Sequence, residues 1–258
     1  MFGELLRHEL RARAWSALAL GLVIALMGVF VFALTSGLSQ AIADLTRSFP
    51  QALTAFVGGG SAGGYAVGEL FNLIAPAAMV GYAVVVGGST IAREEEKGTM
   101  SMLSAQPVAR SSIVASKALA LLVSLVGAAI LLWVGVSVSS ASYGIGLDLG
   151  GLTAICVHLL ALAIAFGAIA IALGGLTGNP GLSIGTAGVL AVASYASNAM
   201  LPLAKLTDWA RLSPWHYFVG SNPLSNGVDG WHLLVLGLIA AVAAVVAFVG
   251  FNRRDLKG

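Results

Sequence analysis

The sequence predicts an all-α, polytopic membrane protein with six transmembrane helices, and three observations predict it. Charged residues fill only 9% of the 258 positions while 58% are hydrophobic, and the mean hydropathy is +0.94. A soluble domain carries roughly 25% charged residues, because water must solvate its surface. The apolar residues fall into long continuous runs with no alternation, which selects helices over the strands of a membrane barrel. The basic residues cluster at the chain ends and in one connection between runs.

A helix needs about 20 apolar residues to cross the roughly 30 Å hydrocarbon core. Six runs meet that length, at 14–35, 70–92, 111–138, 150–177, 182–201 and 231–251, and none holds Asp, Glu, Arg or Lys deep within it. The first run is too long for the apolar stretch of a signal peptide and no small-residue cleavage site follows it, so no cleavable signal is expected. Small residues such as Gly174 and Gly178, or Gly181 and Gly185, allow close helix packing. In a chain with 33 glycines that spacing names no particular contact. Cys156 is the single cysteine, so no internal disulfide is possible.

Orientation follows from charge. Six spans place Arg7, Arg11, Arg13, Arg93, Lys97, Arg110, Lys117, Arg253, Arg254 and Lys257 on one side, and only Arg47, Lys205 and Arg211 on the other. The positive-inside rule then puts both termini in the cytoplasm. An odd number of spans would separate the two basic tails.

Four stretches lie between or before the spans. In residues 2–13, Phe2, Leu6 and Leu10 form one stripe beside Leu5, with Glu4, Arg7, His8 and Arg11 elsewhere around the helix. This reads as a short amphipathic helix at the cytoplasmic interface, running into the first span, or as a charged flank that sets topology. Residues 36–69 hold Ile42, Leu45, Phe49, Leu53 and Phe56 at helical spacing, interrupted by Pro50, and read as a surface helix on the outer leaflet. The Gly-rich link that follows lacks the Lys-Ser/Thr ending of a phosphate loop.

The cytoplasmic loop from Ala92 to Lys117 carries seven charges. Gly98 can break the second helix, Thr99 can cap a new turn bearing Met100, Met102 and Leu103, and Pro107 suits the start of the returning helix. Such a turn either packs on a partner or belongs to a solvated connection. Between the last two spans, residues 202–230 contain Pro202, Pro214 and Pro223 with Trp209, Trp215, Tyr217 and Trp231. The aromatics suit a membrane boundary, and the segment reads as short helices entering or capping the outer leaflet, or as an ordinary aromatic belt.

Chemistry of the soluble kind is not encoded. There is no G-x-x-x-x-G-K-[ST], no H-E-x-x-H and no C-x-x-C, and the spans hold no paired carboxylates for an ion relay. Neither an enzyme nor an ion-coupled carrier is expected, and no metal site or cofactor. His158 is the one ionisable residue well inside a span; it suits either a functional role or a hydrogen bond to a neighbouring helix.

The stretch "REEEKGTMSMLSAQPVARSSIVASK" resembles the cytoplasmic signature of ABC-2-type permeases at Glu94, Glu95, Glu96, Gly98, Thr99, Leu103, Pro107, Arg110 and Lys117. "RLSPWHYF" and "FNRRDL" resemble that family's Leu-Ser-Pro segment and terminal tail, and "ELLRHELRAR" its opening helix. The resemblance implies an ABCG-like fold and the permease side of an ATP-binding cassette exporter in the cytoplasmic membrane. Two permease subunits, as a homodimer or heterodimer, would form the pore, each above a separate ATPase that binds ATP and Mg. It implies that Arg93, Glu94, Glu95, Glu96, Gly98, Thr99, Met102, Leu103, Pro107 and Arg110 couple to that ATPase, with residues 2–13 as a connecting helix beside them. It also implies that the second and fifth spans face the pore, with Asn72, Met79, Tyr82, Tyr195 and Asn198 as pathway candidates. A pathway without fixed charge suits amphipathic or hydrophobic cargo such as drugs, antibiotics or lipids. The alternative is a non-transporting scaffold or regulatory subunit bound to an ATPase.

Overall fold

The computed structural model describes residues 2–37, 67–96 and 110–253. Every regular element among them is a helix. α1 (Phe2–Gly37) is one uninterrupted helix of 36 residues, about 54 Å at roughly 1.5 Å per residue. That exceeds the bilayer core, so the polar first turns continue directly into the first apolar run.

α2 (Val67–Thr90) contains a π-helical turn at Leu70–Ile74. The turn lies just before Pro76, which has no N–H to offer the carbonyl of the preceding turn, and a widened turn relieves that conflict. Ile91 separates α2 from the five-residue α3 (Ala92–Glu96). α4 (Arg110–Ser142) and α5 (Leu149–Thr177) follow. Asp148 caps α5 by accepting the Gly151 N–H at 2.6 Å. At its other end Gly178 adopts φ 59°, the left-handed conformation glycine takes without strain. Asn179 then caps α6 (Pro180–Met200), accepting the Leu182 N–H at 3.0 Å, with Pro180 in the first turn.

Five of the described helices are long and apolar enough to cross a membrane: α1, α2, α4, α5 and the last helix, α10 (Gly230–Arg253), which follows three one-turn helices. α6 forms where the fifth span is expected and, at 21 residues, reaches about 31 Å. Ser183, Thr186, Ser194, Tyr195, Ser197 and Asn198 make it markedly less apolar than the others.

α5 is the central helix. α2, α4, α6 and α10 pack against it, while α1 lies along α4. Small residues set these distances. A Cβ on Gly135 of α4 would sit 2.6 Å from the Ala25 Cβ of α1, and one on Gly87 of α2 would sit 2.7 Å from the Gly167 carbonyl of α5. Gly174 likewise faces the Gly88 carbonyl of α2, whereas Gly178 serves as the helix cap.

The segment between α6 and α10 holds α7 (Thr207–Ala210), α8 (His216–Val219) and α9 (Pro223–Asn226). Ser213 fastens it to α6, donating to the Ser194 carbonyl at 2.8 Å and sharing a 2.7 Å hydroxyl contact with Ser194. The Trp215 N–H donates to the Ser194 hydroxyl at 3.2 Å. Trp215, expected among the boundary aromatics, is instead buried at 5% exposure against Phe166, Tyr195 and Phe218. The serine bridge draws its backbone onto α6 and turns the indole into the core. Trp209 and Trp231 remain exposed. The surface helix expected from Ile42 to Phe56 and the tail beyond Arg253 lie outside the described residues.

Candidate functional site

At one end of the bundle, α1, α2, α3 and α4 meet in a cluster of charges gathered around one buried lysine. Lys117 sits in the second turn of α4 with its side chain 4% exposed. Its Nζ donates to Glu9 Oε1 of α1 at 2.6 Å and to Glu94 Oε1 of α3 at 2.5 Å. Glu9 Oε2 accepts from Arg13 Nη2 one turn along at 2.9 Å. The same Nη2 donates to the Thr90 hydroxyl of α2 at 3.0 Å, and that hydroxyl donates to the Val86 carbonyl. Two cations and two carboxylates balance. The burial of Lys117 is tolerable because its charge is paired and hydrogen-bonded. Arg13 Nη1 is buried with no acceptor among the described residues.

The cluster ties the base of the acidic connection. Glu94 precedes residues 97–109 and Lys117 follows them, 23 positions apart in sequence, so the pair holds both ends of that stretch to α1.

The other expected coupling residues divide by position. Arg93 and Glu96 are exposed on α3, while Glu94 turns inward. The Glu95 and Arg110 side chains, and Gly98, Thr99, Met102, Leu103 and Pro107 altogether, lie outside the described residues. Glu9 and Thr90 were missed by sequence reasoning. Glu9 and Arg13 carried the only signal, an opposite-charge pair at i,i+4 in the last polar turn before an apolar run.

The pathway candidates lie at separate places along α2 and α6. Asn72 lies in the π turn of α2, and Met79 is fully buried in the core. The Tyr82 hydroxyl is 3.2 Å from the Ser16 hydroxyl of α1. Tyr195 packs edge-on against Trp215 at 5.2 Å, and Asn198 is half-buried near the end of α6. A cleft of about 410 Å³ beside it is lined by Leu190, Ser194, Ser197, Trp209, Leu212 and Ser213, among others. His158 is fully buried and bonded to the segment between α6 and α10. No group of three or more His, Cys, Asp or Glu among the described residues is arranged to hold a metal ion.

A family model described as ABC-2 family transporter protein matches residues 4–256. The chain belongs to the ABC-2 transporter family. No curated protein matches it. The match covers both ends and every helix described above, so this ABC-2 protein is a multi-pass membrane protein and a permease component of an ABC transporter. ABC-2 membership implies association with an ABC ATPase subunit.

Proposed function

We propose that this permease exports an amphipathic or hydrophobic molecule, such as a drug, antibiotic or lipid, across the cytoplasmic membrane. ATP is hydrolysed by a separate ABC ATPase, and the permease itself is not an enzyme and needs no cofactor. Six spans, α6 included, put both termini and the Glu9–Lys117–Glu94 cluster in the cytoplasm. The acidic connection at 93–110 seats on the ATPase. The polar start of α1, residues 2–13, lies beside it as the connecting helix, and 202–230 caps the outer end. Two permease subunits enclose the pathway along α2 and α6, with Asn72, Met79, Tyr82, Tyr195 and Asn198 near it.

The observation that carries this reading is the pairing of Glu9, Arg13 and Glu94 around the buried Lys117 where the acidic connection leaves and rejoins the bundle. Buried charges cost free energy to keep, and here they join the three helices that a partner beneath would have to move together. ATP binding closes the ATPase dimer, which favours one arrangement of the two bundles over the other.

The test is reconstitution with the cognate ABC ATPase. The expected result is a stable complex, no ATP hydrolysis by the permease alone, and ATP-dependent movement of lipophilic dyes or fluorescent lipids in inverted vesicles. Failure of the ATPase to co-purify would overturn the reading.

A further inference from the structure

At the end of the bundle opposite Lys117, His158 of α5 holds two distant points of the 202–230 segment at once. Its Nδ1 is 3.2 Å from the Tyr217 carbonyl, and its Nε2 receives the Asp229 backbone N–H at 3.1 Å. A carbonyl can only accept and an amide N–H can only donate, so the two partners fix the ring as the neutral tautomer with its proton on Nδ1. His158 is fully buried, out of contact with bulk solvent. It thereby closes the loop that carries α8 and α9 and positions Asp229, whose carboxylate accepts the N–H groups of Trp231 and His232 at the start of α10.

A protonated imidazole donates from both nitrogens. Nε2–H would then face the Asp229 N–H, donor against donor, in a buried site. The groups around it offer no simple compensation. His232 on α10 has its ring centre 6.3 Å from His158, and His216 on α8 lies 5.5 Å beyond, against His232. Tyr217 stacks on His232 at 5.2 Å, and Arg211 follows α7. These add positive or neutral groups. Among the described residues around the ring, the Asp229 carboxylate is the anion at hand, and to meet the new charge it must leave the cap of α10.

We propose that His158 is an acid-sensitive clasp, holding the 202–230 segment closed while neutral and releasing its Asp229 end when protonated. The positive-inside orientation puts this end outside the cell, where pH varies, and places the segment over the outer mouth of the permease. The clasp itself rests on the two hydrogen bonds alone, whatever the cargo.

The experiment is hydrogen exchange of the Asp229 amide in the full chain in lipid nanodiscs. Rates at about pH 7.5 and 5.5, spanning the histidine range, are corrected for intrinsic exchange. Wild type should lose roughly tenfold in protection at the lower pH, the equilibrium factor of about one hydrogen bond. His158→Gln, whose amide can accept and donate without titrating, should show no such loss. His158→Phe should be unprotected at both pH values. Protection that is unchanged by pH in wild type, or lost equally in His158→Gln, would overturn the proposal, the second by assigning the titration to another group. If His158→Phe does not fold, the wild-type and Gln arms still decide.

Discussion

Glu9 and Lys117, 108 positions apart in sequence, form a part-buried 2.6 Å ion pair that joins the first helix to the far side of the acidic connection. Sharing Lys117 with Glu94 makes the pair a three-way junction.

Lys117→Met removes the shared cation and leaves two carboxylates facing each other with only Arg13 to offset them. The pairs are part-buried, so the loss should fall below the about 3–5 kcal/mol of a fully buried pair, and thermal unfolding in nanodiscs should still shift below wild type. Lys117→Arg keeps the charge and should recover most of the loss. An unchanged midpoint in Lys117→Met would mean the cluster is not stabilising.

Neighbouring acids in the same run should behave differently. Glu94→Gln weakens the bond to Lys117 and should lower stability in the same direction as Lys117→Met. Glu96→Gln, at an exposed position, should leave the unfolding midpoint within about 0.5 kcal/mol of wild type while weakening retention of the ABC ATPase on co-purification. Equal effects of the two substitutions on both readouts would contradict the division between an inward and an outward acid.

Ser213→Ala cuts the bridge between α6 and the 202–230 segment. Leaving the Ser194 groups partly unsatisfied should cost about 1–3 kcal/mol. Amide exchange at Trp215 should accelerate while exchange in α4 stays unchanged.

His216 gives the 202–230 segment a pH dependence of its own. Burial first, then repulsion from His232 and Arg211, lowers its protonation below the usual histidine range. The unfolded chain therefore binds that proton first as pH falls. Stability is full above the ordinary histidine value near ~6.5 and declines below it, levelling off once the folded form also titrates. His216→Gln should show a smaller drop in unfolding midpoint between about pH 7.5 and 5.5; a drop as large as wild type's would remove His216 from the account.

The helices were legible because their cause is local. Runs 150–177 and 231–251 lie within two residues of α5 and α10 at each end, since apolarity, and for α5 the caps at Asp148 and Gly178, are written in adjacent residues. The charge cluster was legible only in part. Glu94 and Lys117 stand out in the acidic loop and the span after it, but Glu9 reads as a flank until α1 is laid along α4. Trp215 was misread for the same reason. An indole near a span end looks interfacial, and only the Ser194–Ser213 bridge, a contact 19 positions apart, turns it inward. Pairings set by tertiary packing carry no period for a sequence to display.

The most direct test of coupling through the junction is a nucleotide-driven distance change in the reconstituted complex. Spin labels at Leu212, exposed on the outer segment, in a Cys156→Ser background would report the separation between the two permease subunits with and without ATP and vanadate. Wild type should change distance on nucleotide trapping, whereas Glu94→Gln and Lys117→Met should keep the ATPase bound and hydrolysing yet lose the change. The same nucleotide-driven shift in both variants would show that the partner's cycle reaches the bundle by another route.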